Sequence, residues 1–593
     1  MSVVLRWLVP AAVIGVMAGV GAVRAAELPP GGRPVFEDTL SALGTFENER
    51  GRAEVVSVDG PGFDGALRIA SNQVGESWDL QAQAGLPKPV REGETLVLTF
   101  WARTVRTDQA SGHGVFRAAV GEASPPWSKS LSTVRRVGRE WRRFVLPFAA
   151  RDDYEPGRMM MALEVGGAVQ ALDFGAVELL SYGDRVEAGE LPETATTYPG
   201  RAPDAEWRAE AERRIRRVRT APVTIRVTDA EGRPVEGAEV RVRMTRHGFH
   251  FGCAFRAWHA VDDSERARFY RRKIPELFNA VSFTNALKWP PWAGDWGEEH
   301  SRQTSLSALR WVQEQGLWFR GHVLVWPSWG HLPRYMRKYR EDPDPEVIRR
   351  EVLEHIDSIT TATRGFVSEW DVINEPYSNH DLMDVCGREV MVDWFERAHR
   401  NVPEAALALN DYGILTALAD SPHQRDYEET VRYLIEEGAP IGVLGMQGHF
   451  GETAPAPSRV LATLDRFAEF DLPIRVTEFT VGGDDRKLEA DWTRDCLTLV
   501  FSHPAVVGFQ FWGPGQLFTS DGNEKPNLRA YRELVFDRWW TDRSGRAGAD
   551  GEFATRGFLG AHRVEVSRGG RTGSAEFELA EPGEEVVVEV MLR

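Results

Sequence analysis

The sequence predicts an α/β protein centred on a closed (β/α)8 barrel, with an N-terminal β-sandwich and a small C-terminal all-β element. Three observations carry that prediction. Between positions 248 and 541, short apolar runs recur as candidate strands: Phe249–Ala254, Asn279–Phe283, Trp318–Val325, Phe366–Val372, Ala406–Asn410, Ile441–Met446, Ile474–Phe479 and Val506–Phe511. The segments between them have helical spacing, as in Met391, Trp394, Phe395 and Ala398, in Tyr427, Val431, Leu434 and Ile435, and in Val460, Leu461, Leu464, Phe467 and Ala468. Several runs also end in polar residues, as barrel strands do at the rim that carries chemistry. An open doubly wound sheet would show the same alternation, but no glycine-rich phosphate loop follows an early strand.

The flanking elements follow in chain order. Arg6 precedes the apolar run Trp7–Val20, and Val23-Arg24-Ala25 offers small residues for cleavage, so residues 1–25 are expected to be a secretory signal. A retained anchor is the alternative, although the run is short for a bilayer span. The protein is therefore expected to be secreted, periplasmic or on the cell surface, without membrane contact after cleavage. From 30 to 192, runs such as Leu96–Ala102, Trp141–Phe148 and Ala171–Leu180 alternate with Gly, Pro and Asp turns, the pattern of a β-sandwich. This part resembles a jelly-roll carbohydrate-binding module, in which Trp78 and Trp127 are candidate sugar platforms and core or rim packing is the ordinary alternative.

Residues 193–221, rich in Pro, Arg, Ala and Glu, read as a linker that includes a charged helical stretch from Ala205 to Arg219. In 222–247 the alternating runs Val223–Val227 and Ala238–Met244 flank Asp229–Pro234, a hairpin signal. The tail, 542–593, alternates between glycine-rich turns and is expected to form a small antiparallel β domain that 222–244 completes.

With 71 Lys and Arg against 88 Asp and Glu, the formal charge is −17, and no basic block stands out. That excludes the electrostatic footprint of a nucleic-acid binder and is compatible with a neutral polysaccharide. Cys253, Cys386 and Cys496 have no metal-ligand spacing and read as three buried thiols, with one disulfide as the alternative. No metal or organic cofactor is implied. A structural calcium in the sandwich would need a ligand set that the sequence does not single out. A monomer is expected.

The chemistry concentrates in two stretches. Gly365–Tyr377 runs from apolar residues into Asp371, Asn374 and Glu375, and Ile474–Thr480 repeats the design and ends near Glu478. A fold that returns strands to one rim brings these glutamates together. Paired carboxylates suit glycosidic cleavage, one protonating the leaving oxygen while the other attacks or activates water.

Seven segments, covering about Phe249 to Trp540, resemble the glycoside hydrolase family 10 endo-β-1,4-xylanases. They are Asn285-Ala286-Leu287-Lys288-Trp289, Arg320–Trp326, Trp370–Pro376, Asn410-Asp411-Tyr412, Gly445–His449, Thr477-Glu478-Phe479 and Phe511-Trp512-Gly513. The resemblance implies endo-hydrolysis of xylan with retention, Glu375 as acid/base and Glu478 as nucleophile, their carboxyl groups about 5 to 5.5 Å apart. It implies that Asn374 binds the sugar hydroxyl beside the cleaved bond, that His449 supports Glu478, and that Gln447 touches Glu375 or the sugar. Asn285, Lys288 and His322 would line the glycone side, and Trp289 and Trp512 would face sugar rings or pack the rim. Asn410 and Tyr412 would support the geometry, and Asp371 reads as structural.

Three positions depart from the family pattern. Its Glu-Asn pair appears as Thr284-Asn285, the histidine after Leu-Val-Trp is Pro327, and the acidic residue two places after the nucleophile is Thr480. The chemical pair is intact, but the polar partners that discriminate substrates are altered. Another β-linked or decorated glycan is thus the alternative substrate, with His331 or Trp329 as candidate compensating groups. A barrel that only binds glycan is the non-enzymatic alternative, against which both glutamates stand.

Overall fold

The structure is a computed structural model describing residues 28–593, apart from 37–38, 108–112, 196, 417–420, 451–453 and 483–484. The expected signal, residues 1–25, lies outside the described residues. Among the described residues, no helix is long and apolar enough to cross a membrane.

Eight parallel strands form the central barrel: β1 (His250–Phe255), β2 (Ala280–Phe283), β3 (Trp318–Gly321), β4 (Glu369–Asn374), β5 (Ala406–Asp411), β6 (Val443–Met446), β7 (Ile474–Val481) and β8 (Val506–Phe511). Each pairs with the next, and β8 returns onto β1 through His250 opposite Gly508 and Cys253 opposite Phe511. Every residue of β2, β4 and β6 is buried; β2 and β6 accordingly read as nearly continuous apolar runs, whereas β4 also buries Glu369, Asp371 and Asn374, the first two paired with Arg475 and Arg320 inside the barrel. The stretch 366–368 is excluded from β4, because Gly365 turns the chain at φ +81° and the Phe366 amide still bonds the Thr363 carbonyl. Helices cover the outside. In Val390–Asn401 and Pro457–Ala468 the predicted faces are buried at Met391, Trp394, Phe395, Ala398, Val460, Leu464 and Phe467. In Pro422–Glu436 Tyr427, Val431 and Leu434 are buried, but Ile435 turns to solvent.

The N-terminal unit is a two-sheet antiparallel sandwich. One sheet runs Phe46–Asn48, Gly51–Gly60, Phe63–Ser71, Gln170–Gly183, Thr95–Thr107, Arg142–Ala149, and the other Gln81–Gly85, Met159–Glu164, Gly114–Glu122, Lys129–Val137. Phe100, Phe116, Phe144 and Phe174 interlock between them at centroid distances of 5.2 to 5.9 Å. Trp78 and Trp127 take no part in that core and are 54% and 49% exposed.

The hairpin expected in 222–247 does not form. Thr220–Thr228 pairs antiparallel with Glu552–Phe558 and parallel with Val586–Met591, whereas Glu239–His247 belongs to a second sheet with Asp542–Arg546 and Gly560–Arg568. The reason lies in the apolar sets, because Val223, Ile225 and Val227 meet Val240, Val242 and Val564 across one core instead of sharing a face. The tail and the 220–247 segment are therefore one small β-unit that brackets the barrel, and one of its pairings is parallel. The linker is also fastened: Glu206–Val218 is a helix whose Arg208 bonds Asp495 at 2.6 and 2.7 Å, while Tyr198 donates to Asp495 at 2.7 Å and Arg201 pairs with Asp491 at 2.8 Å. Arg201 and Arg208 thus answer acidic residues on the barrel helix Arg486–Ser502, while Arg214 donates to Ser502 Oγ and Arg219 to the carbonyls of Phe501, His503 and Val506. Cys253, Cys386 and Cys496 are free and buried, as expected.

Candidate active site

The C-terminal ends of β4 to β7 bring Asn374, Glu375, Asn410, Gln447, His449 and Glu478 to one rim. Glu375 follows the last residue of β4 at φ +55°, a left-handed conformation that side chains seldom adopt. It is held there on both sides: its amide donates to the Asn410 carbonyl at 2.8 Å, and its carbonyl accepts from the Asn379 amide and Nδ2, both at 3.1 Å. Strain is thus confined to the residue whose side chain must be aimed.

An amide relay joins the two carboxylates. Gln447 Nε2 donates to Glu375 Oε1 at 2.8 Å and lies 3.5 Å from Asn374 Oδ1. Asn410 Nδ2 donates to Asn374 Oδ1 at 2.8 Å and to Glu478 Oε1 at 3.1 Å, and Asn410 Oδ1 accepts from Thr477 at 2.7 Å. Asn374 Nδ2 is buried with no hydrogen bond of full geometry among the described residues, although it acts on Glu375 to lower its pKa, and it is a donor that a sugar hydroxyl can take. The two glutamates sit in opposed environments. Burial raises the pKa of Glu375, and the Glu478 charge adds to that rise against the Gln447 bond. Burial would raise Glu478 as well, but the His449 bond and the charges of His322 and Arg320 outweigh it and leave its pKa lowered. One carboxyl is thereby suited to stay protonated and the other to stay ionised.

Glu478 is buried in the C-terminal half of β7. His449, on a two-residue strand paired with Thr480 and Val481, places Nε2 3.3 Å from Glu478 Oε2 and Nδ1 3.0 Å from Thr480 Oγ1. His322 Nδ1 lies 2.7 Å from Asp371 Oδ2 and 4.0 Å from Glu478 Oε1. Asp371 also pairs with Arg320 in the barrel interior, which accounts for its burial.

The other predicted residues lie around this centre. Lys288 Nζ bonds Asn285 Oδ1 at 3.0 Å, and burial lowers its pKa against the charges of Glu478 and Glu375. Trp512 meets His322 edge-on at 5.1 Å. Trp289 is buried, with one face covered by His355 at 4.4 Å and 9°. Tyr412 does not touch the catalytic carboxyls; its ring packs on His423, which also stacks on Tyr377 at 4.0 Å. Sequence reasoning missed Asn379, Tyr377 and His423. Asn379 had a signal, since it follows Glu375 by four positions, whereas His423 reaches the rim only through folding.

Over residues 240–543 the chain matches the family model described as Glycosyl hydrolase family 10. The chain belongs to this family. Among curated proteins it is 27% identical over 364 residues to "Endo-1,4-beta-xylanase 1" of Arabidopsis thaliana, covering 60% of this chain and 37% of that protein. It is 26% identical over 384 residues to "Anti-sigma-I factor RsgI6" of Acetivibrio thermocellus, covering 62% of this chain and 47% of the relative. With the "Beta-1,4-xylanase" of Dictyoglomus thermophilum it shares 27% identity over 280 residues, covering 42% and 75%. Among solved structures, xylanase 10B from Thermotoga petrophila in complex with xylobiose is similar at a TM-score of 0.44 and 23% identity, covering 49% of this chain and 95% of that one.

The departures from the family 10 pattern now have surroundings. Thr480 bonds His449 where the pattern has an acid. Pro327 donates nothing from its ring, and its carbonyl accepts the Leu382 amide at 3.1 Å. His331 stacks on Trp326 at 3.5 Å and 11° one turn later.

Proposed function

We propose that this protein hydrolyses internal β-1,4-xylosidic bonds of xylan by retaining double displacement. The observation that carries this reading is the pair Glu375 and Glu478, joined by one amide relay yet held in environments that shift them in opposite directions. Protonated Glu375 gives its proton to the glycosidic oxygen while ionised Glu478 attacks the anomeric carbon, forming a glycosyl ester and releasing the aglycone. Glu375, now ionised, takes a proton from water, which attacks the same carbon and frees Glu478. As charge develops on the sugar ring, Asn374 Nδ2 binds the adjacent hydroxyl, a contact that strengthens in the transition state. The polymer runs across the rim, past Lys288 and Trp512 on one side of the carboxyl pair and Tyr377 on the other. The N-terminal sandwich holds polysaccharide through its exposed tryptophans, and the export signal and monomeric state read from the sequence belong to the same proposal.

Product analysis on unsubstituted xylan, with mixed-linkage β-glucan as comparison and Glu478→Ala as control, tests the reading. Short xylo-oligosaccharides from wild type and none from the variant support it. Silence on every xylan would remove it.

A further inference from the structure

Beside the catalytic centre lies a second cavity, of about 230 Å³, that the mechanism above does not use. Lys288 is the wall common to both. Its charge is felt by Glu375 and Glu478, and its Nζ lies 4.8 Å from the centre of the Trp326 ring on the cavity side.

Two features define what the cavity takes. The first is aromatic: Trp289, Trp296 and Trp326 contribute to its lining. Trp296 is 41% exposed, and Trp326 Nε1 is buried with no acceptor among the described residues. Trp289 and Trp326 are covered by His355 and by His331 with Lys288, so the exposed ring of Trp296 is the indole that suits a pyranose ring, with the Trp326 N–H as a donor beside it. The second is charge. Lys288, Arg334 and Arg337 line the cavity beside His331, whose pKa burial lowers so that it favours the neutral ring, and Asp295 is the acidic lining residue. The Asp295 carboxylate is already engaged by the Arg334 backbone amide at 2.6 Å, and Arg334 Nη2 donates to the Asp295 carbonyl oxygen at 3.1 Å. Arg334 and Arg337 are exposed, and neither guanidinium has a carboxylate within ion-pair reach among the described residues, in a chain whose net charge is −17. Neutral hydroxyls do not call for two unmatched guanidinium groups, whereas a carboxylate does. Next to Asn285, the bonding partner of Lys288, stands Thr284 in place of the family glutamate, so a carboxylate that would repel an anion is missing there.

We infer that this cavity is a subsite for a hexuronic acid branch on the glycone part of the xylan chain, its carboxylate held by Arg337 and Arg334 and its ring packed on tryptophan. The inference rests on the xylanase reading and adds a preferred decoration to it. The experiment is calorimetric titration of the full chain carrying Glu478→Ala with xylotetraose and with xylotetraose bearing a glucuronic acid branch, beside cleavage of both by wild type. The branched probe is expected to bind about tenfold more tightly, an advantage that shrinks with added salt. Arg337→Ala combined with Arg334→Ala abolishes the advantage, while Arg337→Lys keeps part of it. Equal affinity for the two probes, or an advantage that survives the double alanine variant, overturns the subsite. If wild type cleaves the neutral probe without preferring the acidic one, only the subsite falls. If neither probe is bound or cleaved, the subsite and the xylanase reading fall together.

Discussion

In the proposed mechanism Glu375 governs the alkaline side of the reaction and Glu478 the acidic side, and the sign of each follows from its environment. The proposed mechanism requires Glu375 protonated, so a raised pKa would preserve activity to higher pH, and Glu478 ionised, so a lowered pKa would preserve it to lower pH. Gln447→Ala removes a donor that favours ionised Glu375, so the alkaline limb of kcat/KM is expected to move upward while the acidic limb stays in place. A downward shift in the pH profile would contradict that assignment. Thr480 offers a second test. Ionised Glu478 only accepts, so His449 Nε2 must carry hydrogen; a neutral ring then presents a bare Nδ1, and the Thr480 hydroxyl can donate to it. A carboxylate at that position could only accept and would demand an imidazolium. Thr480→Val is thus expected to lower kcat about tenfold and raise the acidic limb, because the tautomer that bonds Glu478 is no longer fixed, and Thr480→Ser should restore both. At this scale the sequence exposed the two glutamates as candidates, because each stands at the polar end of a largely apolar run. It did not expose the Thr480 bond, which depends on the pairing of two strand ends, nor the unmatched Arg334 and Arg337, because lack of a partner is a property of three dimensions.

The elements were legible wherever burial acted on one periodicity. All eight barrel strands lie within predicted runs or overlap them closely, since strands enclosed on both faces are mostly apolar. Alternation in 222–247 fixed which residues face a core but not which sheet each strand joins, so two strands of facing layers read as a hairpin. Composition likewise marked 193–221 as a linker because its charges have no partner in sequence. Their partners, Asp491 and Asp495, lie far along the chain. Asp495 is wholly buried and receives bonds from Tyr198, Arg208 and Arg494. Removing one of these donors leaves its charge less compensated, so Arg208→Ala is expected to destabilise the protein by about 2 kcal/mol. Urea unfolding followed by tryptophan fluorescence measures this. An unchanged midpoint would show that the helix Glu206–Val218 rides on the barrel without holding it.

At the scale of the whole molecule, the sandwich and the barrel meet beside the catalytic rim. A cavity of about 490 Å³ between them is lined by Thr133 and Phe148 from the sandwich and by Val481 and Trp492 from the barrel, and Val481 ends the strand that carries Glu478. If the sandwich holds polysaccharide as proposed, the polymer would be delivered near the cleft. Trp78 precedes the strand Gln81–Gly85, at the end of its sheet where Gln81 pairs with Glu164, and Trp127 lies in the turn after Glu122, which pairs with Met159 at the other end. Five register positions of strand separate those ends, roughly 17 Å. A long chain can touch both rings and a disaccharide cannot. The double variant Trp78→Ala, Trp127→Ala is therefore expected to lose most retention on insoluble xylan while cleaving soluble xylo-oligosaccharides at the wild-type rate, since neither ring belongs to a core and neither lines the catalytic centre. Depletion of protein from solution by insoluble xylan, measured beside the soluble assay, separates the two effects. Undiminished retention would assign the tryptophans to simple surface exposure and leave the sandwich as a spacer that sets the barrel's distance from whatever the chain is attached to.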